Sequence, residues 1–270
     1  MPASEIIFPA GRAERERAYS PSSCIYDIAP FIARYVAESA GARDLIPYRT
    51  ERYGSSDAEA LDIFEPANPL NSGPVHLFFH GGYWQELSKA EASFPAISFS
   101  STGVTYVAAG YTLAPHATVP QIIDQARTAA RWVLVNVCNG DASRLTVSGS
   151  SAGAHLAAWV ALRESVHRAV LLSGVYDLQP LVGTYINDEL GMDVETARSA
   201  SPLLALPPVK RDPAFTIVWG EIETEAFKQQ SRVFAAALEE RGAAVELREI
   251  TGRNHFDIVH DLPEIAGVYL

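Results

Sequence analysis

Leu145-Thr146-Val147-Ser148-Gly149-Ser150-Ser151-Ala152-Gly153 is the stretch whose reading decides the fold. It runs from an apolar strand through a tight turn into an almost wholly apolar helix, Ala152 to Leu162. A sharp strand-to-helix turn pushes its central side chain, here Ser151, out of the sheet. Glycines flank that serine at 149 and 153 because a Cβ there would collide with the neighbouring strand or helix. At a helix N-terminus, Ser151 also gains from the dipole as negative charge develops on it. Ser150 lies one place off the centre and should point elsewhere.

Working outward, apolar runs bounded by turn residues alternate with helical patterns, which implies an α/β chain with a mostly parallel central sheet and helices on both faces. Leu61 to Phe64 and Val75 to Phe79 read as the first two strands, joined by a turn over Pro66 to Pro74. Thr105 to Ala109, Leu145 to Val147, Ala169 to Leu172, Phe215 to Trp219 and Val245 to Ile250 follow as later strands. Their continuous apolar character suits strands covered on both faces. Val119 to Val137 carries Ile122, Ile123, Ala126, Ala129, Ala130 and Val133 on one helical face and stops at Asn139-Gly140. Phe227 to Arg241 ends at Gly242, a good C-cap. An N-terminal helix over Ser22 to Ala40, at most to Ala42, precedes the first strand and can pack over the site. Pro180 to Pro208 is the least regular stretch and reads as an inserted cap segment. With neither repeat nor linker, residues 1–270 read as one domain.

Hydrophobic residues make up 48% of the 270, enough for a full core, and the formal net charge of −11 comes with no basic block. That argues against nucleic acid and anionic membrane as partners. The first twenty residues are broken by Glu5, Arg12, Glu14, Arg15, Glu16 and Arg17, so they hold no apolar signal-peptide core. No apolar run approaches the roughly 18 residues of a membrane span. Cys24 and Cys138 lie among apolar neighbours without metal-ligand spacing, and read as free thiols in a reducing cytoplasm. Oligomeric state is not written in the sequence; a homodimer is compatible with it.

His80-Gly81-Gly82-Tyr83-Trp84 follows the strand ending in Phe79. Backbone N–H groups of Gly81 and Gly82 can approach a tetrahedral oxyanion closely, with the N–H of Ala152 as a further donor. His80 reads as a brace for this loop, and Tyr83 and Trp84 as pocket walls. A base must follow the acid in chain order if this is the Ser, acid, His sequence of the α/β-hydrolase fold. His255, in a turn after the last strand, fits; His260 falls in a helix-like segment and suits the surface. His155, one turn past Ser151, should face the core. The acid belongs after Phe215 to Trp219, where Glu223 is the first choice, Glu221 the next and Asp177, after the preceding strand, the outsider. Its task is to hold the imidazole tautomer and stabilise imidazolium.

Taken together, these residues resemble the kynurenine formamidase family, metal-independent arylformamidases of tryptophan catabolism. The likeness covers Tyr19-Ser20-Pro21-Ser22, Leu61-Asp62-Ile63-Phe64 and His80-Gly81-Gly82-Tyr83-Trp84-Gln85. It continues through Ser151 to Ala158, Ser173 to Leu178, Ser199 to Pro202, Phe227 to Ser231 and Asn254 to Ile258. The resemblance implies hydrolysis of an N-formyl arylamine such as N-formyl-L-kynurenine, with a triad at Ser151, Glu223 and His255. Two positions depart from it: Ser150 stands where many members carry His, and Glu223 where Asp is common. The His-x-Gly-x-His motif of metal-dependent formamidases is absent, so neither metal nor other cofactor is implied. Tyr83, Trp84 and Tyr176 would wall the aryl side. The competing readings are a carboxylesterase or other aryl amide or carbamate hydrolase of small substrates, and a non-catalytic binding protein on the same fold.

Overall fold

A computed structural model describes residues 6–66, 73–206 and 213–268 of the chain. Among them, eight strands form one sheet in the order β1-β2-β4-β3-β5-β6-β7-β8. These are β1 (Tyr48–Arg52), β2 (Ala60–Phe64), β3 (Val75–Phe79), β4 (Thr105–Ala109), β5 (Leu145–Ser150), β6 (Arg168–Leu172), β7 (Ala214–Ile222) and β8 (Val245–Asn254). The strands from β4 to β8 are parallel, while β2 pairs antiparallel with both β1 and β4.

Helices α1 (Arg12–Ala18), α2 (Ala29–Leu45), α3 (Ala96–Ser101), α4 (Val119–Asn136) and α5 (Ala152–Arg163) come from the first part of the chain. From the second part come α6 (Asn187–Leu190), α7 (Val194–Ser199), α8 (Glu225–Glu239) and α9 (Leu262–Ile265). Alternation along each strand sorts its side chains between two cores. Ala169 and Leu171 of β6 join α4, α5 and α8 on one face, whereas Val170 and Leu172 join α2, α3 and α9 on the other. Thr118 and Gln121 cap α4 reciprocally, and Asn139 and Gly140 follow it with φ of +56° and +80°.

The structure revises several boundaries. The expected helix over Ser22 to Ala40 is a 3-10 turn at Pro21–Cys24 followed by α2, which runs on to Leu45. The Asp27 carboxylate accepts from the Ala29 N–H and Pro30 occupies the first turn, so the helix starts there. Leu61 to Phe64 is not the first strand. β1, the polar and largely exposed Tyr48-Arg49-Thr50-Glu51-Arg52, precedes it at the sheet edge and offers no apolar run to find. β2 and β3 are not neighbours, since β4 lies between them; residues 67–72 of the expected turn between them lie outside the described residues. β8 is not covered on both faces: most of it is exposed at the opposite edge, and it extends four residues past Ile250. Of the Pro180 to Pro208 segment, Pro207 and Pro208 lie outside the described residues, and the rest holds α6 and α7. Leu181, Ile186, Leu190 and Met192 tie that segment into the core.

Candidate active site

Ser151 sits between β5 and α5 with φ +56° and ψ −118°, a conformation sparsely populated by non-glycine residues. Its N–H donates to the Leu172 carbonyl at 2.8 Å, which anchors the turn to the neighbouring strand. Both flanking glycines are sterically required. A Cβ on Gly149 would lie 2.1 Å from the Gly153 carbonyl oxygen, and one on Gly153 would lie 1.9 Å from that of Phe79. The elbow is therefore packed backbone to backbone against β3.

The loop after β3 lies on this elbow. An added Cβ at Gly81 would meet the Ser150 carbonyl oxygen at 3.0 Å and the Ser151 Cβ at 3.4 Å. Gly82 has φ +96°, and Tyr83, Trp84 and Leu87 also take positive φ, so the loop is held in a strained path. His80 braces it: Nδ1–H donates to the Gly81 carbonyl at 2.8 Å, and the Tyr111 ring stacks on the imidazole at 4.2 Å. The Tyr111 hydroxyl donates to the His80 carbonyl at 2.9 Å. Burial pushes the His80 pKa down to about 4, leaving the ring neutral near pH 7.

His255 follows β8 directly. The turn that presents it is set by Asn254, whose Oδ1 accepts from the N–H groups of Phe256 and Asp257 at 2.8 and 3.1 Å. His255 Nδ1–H donates to Glu223 Oε2 at 2.9 Å, and both side chains are buried. Glu223 Oε1 accepts from the Gly220 N–H and from the Ser173 hydroxyl, each at 2.6 Å. Between the pairs Gly220–Ile250 and Ile222–Asn254 the register shifts by two residues, the extra ones on β8, just before Glu223 and His255. Glu221 points elsewhere, is exposed, and accepts from the Gly252 N–H at 2.8 Å. Asp177 is buried beside α8 and accepts from the Gln179 N–H at 2.9 Å.

The other histidines fall into place around this arrangement. His155 is fully buried; its Nε2–H donates to the Ala200 carbonyl at 2.8 Å, and burial pushes its pKa down to about 4. His260 is not a surface residue as expected. It is half-buried between Tyr35 and Phe94, with Nδ1 3.2 Å from Glu38.

Ser151 and His255 both line a cavity of about 370 Å³, with Glu223 behind His255. Its apolar wall includes Ile28, Ile32, Phe94 and Phe256, while Ser20, Ser22 and Tyr185 supply hydroxyls. The Ser20 hydroxyl lies 3.1 Å from that of Tyr185, joining two segments 165 residues apart. Tyr83 lines the cavity and donates to the Tyr19 carbonyl at 2.5 Å. Trp84 and Tyr176 do not line it, which corrects the expectation for both. Trp84 is fully buried edge-on to His155, and Tyr176 is fully buried and stacked on Phe234 at 4.1 Å. The positive φ of Trp84 turns its ring down into the core, and Tyr176 faces α8 rather than the strand ends. The N-terminal helix that can pack over the site supplies Ile32 and Tyr35 to the wall from α2, whereas Phe94 has no local signal, because only tertiary packing brings it near Ser151. Phe256 carried a local signal, its place beside His255. Ser173, just past the expected strand and named only within the family likeness, carries no signal of a site role in the sequence.

Among the described residues, no group of three or more His, Cys, Asp or Glu side chains is placed to hold a metal. Nor is any helix there long and apolar enough to cross a membrane.

The alpha/beta hydrolase fold family model matches residues 76–197. A candidate thioesterase from Silicibacter sp. TM1040 shares the fold, with a TM-score of 0.81 over 94% of this chain and 98% of the other at 24% identity. Sheet order, elbow and family match together make this chain an α/β hydrolase. It is 34% identical to the kynurenine formamidase of Danio rerio over 221 residues, 78% of this chain and 75% of the relative. The kynurenine formamidase of Salmo salar is 33% identical over the same shares of the two chains. The chain belongs to the kynurenine formamidase family.

Proposed function

We propose that this enzyme hydrolyses N-formyl arylamines, N-formyl-L-kynurenine among them, to formate and the free amine through an acyl-enzyme on Ser151. Membership of the kynurenine formamidase family carries the substrate class. The shared cavity wall of Ser151 and His255, with Glu223 bonded behind, supports the mechanism.

With Nδ1–H committed to Glu223, the other ring nitrogen of His255 is the base. It takes the proton from Ser151 Oγ as that oxygen bonds to the formyl carbon. The oxyanion is received by the N–H groups of Gly81, Gly82 and Ala152, the last at the first turn of α5 where it has no partner within the helix. Collapse breaks the C–N bond, and the amine nitrogen takes the proton from His255. Water then gives a proton to His255 and attacks the formyl ester; as the acyl C–Oγ bond breaks, His255 returns that proton to Ser151 Oγ, and the formic acid released ionises to formate. The aryl ring lies against Ile32, Phe94 and Phe256, with Tyr83 also in the wall, in place of the Trp84 and Tyr176 walls. Cys24 and Cys138, both free, suit a reducing cytoplasm.

The test compares kcat/KM for N-formyl-L-kynurenine and p-nitrophenyl acetate, with formate release followed directly. Efficient formate release and a fall of at least about 10⁴-fold in kcat for Ser151→Ala are expected. Ester turnover without formate release would move the assignment to a carboxylesterase. Retention of turnover within tenfold by Ser151→Ala would overturn the mechanism.

A further inference from the structure

Glu223 is held by more than its histidine. Ser173, one residue beyond the end of β6, is fully buried and has φ +52°, in the left-handed region that side-chain-bearing residues avoid. Its N–H is bound to the Val218 carbonyl at 2.8 Å, so the backbone is pinned to β7. From there its hydroxyl reaches Glu223 Oε1 at 2.6 Å, the oxygen that also accepts from the Gly220 N–H at 2.6 Å. A carboxylate only accepts, so Ser173 must be the donor. Oε1 is thereby occupied from β7 and from the residue after β6, and Oε2 is the oxygen left for His255 Nδ1–H. Ser173 does not line the cavity.

We propose that Ser173 is a positioning residue for the catalytic acid, fixing which oxygen of Glu223 faces His255 and at what reach. The proposal rests on the reading of Glu223 and His255 as acid and base. Its physical basis is torsional: a glutamate has one more rotatable bond than an aspartate, and each free torsion spreads the acceptor over positions that do not serve the imidazole. Two donors on Oε1 remove that freedom. The strained backbone at Ser173 is what a clamp of this kind requires, because a relaxed residue there would aim its side chain along another direction.

Two substitutions separate hydroxyl from backbone. Ser173→Ala removes the hydroxyl at an unchanged φ, and Ser173→Gly removes it while relieving the strain. With whichever of N-formyl-L-kynurenine or p-nitrophenyl acetate is turned over, both should lose about tenfold in kcat with KM within twofold. In a Glu223→Ala background, Ser173→Ala should change kcat by less than about twofold, since its target is gone. A Gly variant with wild-type kcat would overturn the proposal, as would a full tenfold loss persisting without Glu223. Turnover retained by Ser151→Ala would instead remove the underlying reading, and this proposal with it.

Discussion

The floor of the cavity is backbone held against backbone, whereas its roof is side chains gathered from distant stretches of chain. On the floor, a Cβ at Gly153 has 1.9 Å to the Phe79 carbonyl oxygen and one at Gly81 has 3.0 Å to that of Ser150. On the roof, Ile32 belongs to α2, Tyr185 precedes α6, and Phe256 follows the histidine turn. Tyr185 is half-exposed and reaches Ser20 through one hydroxyl contact. Close-packed backbone has no cheap way to give, while side chains over a cavity can change rotamer. On the proposed mechanism, the floor would fix the reacting groups and the roof would set what is admitted.

That contrast can be broken most severely at Gly153. Gly153→Ala should cost about 4 kcal/mol or more and leave little folded protein, read from thermal melts and soluble yield. A stable, active variant would show that the elbow is not sterically fixed. Next comes the acid: Glu223→Gln should lower kcat by about 10³-fold while Glu221→Gln stays within about twofold, with KM little changed in either. Equal losses would place the acid elsewhere. On the roof, Ile32→Ala should raise KM about fivefold and leave kcat within twofold, because it removes apolar contact without touching the reacting groups. A kcat effect as large as that of Glu223→Gln would erase the distinction between roof and floor.

The smallest effect concerns pH. Burial pushes His76 down to about 3 and His80 and His155 to about 4, from an ordinary value of 6.5. The unfolded chain then binds protons that the folded chain cannot, so the stability from burying neutral rings is complete above about pH 6.5. It is lost as pH falls from there towards 4. Denaturant midpoints measured across that window should decline, and His155→Gln should make the decline shallower. A flat profile would mean that these rings take up protons without unfolding.

Much of the fold was readable because its signals are local. The strand, glycine, serine, glycine and helix around Ser151 follow one another along the chain, and the Gly81-Gly82 loop directly follows β3. The chain order that put Glu223 before His255 is likewise a linear property, and the two lie 2.9 Å apart. Edge strand β1 escaped because its residues are polar and exposed, and α2 was placed too early because Asp27 and Pro30, not apolar spacing, set its start. Trp84 and Tyr176 were assigned to the wall on chemical type, which says nothing about direction; backbone dihedral and neighbouring rings turn both into the core.

The sequence by itself determined the class of sheet, the glycine-flanked serine turn and the order of Glu223 and His255 after it, since these depend on residue type and on spacing along the chain. Only the tertiary structure decided that Glu223 rather than Glu221 meets His255, and that Ser173 completes its hold. Those outcomes depend on a two-residue shift between β7 and β8 and on the side-by-side placement of β6 and β7. Both are long-range pairings, set by packing across the sheet rather than by any pattern a single stretch of chain can carry.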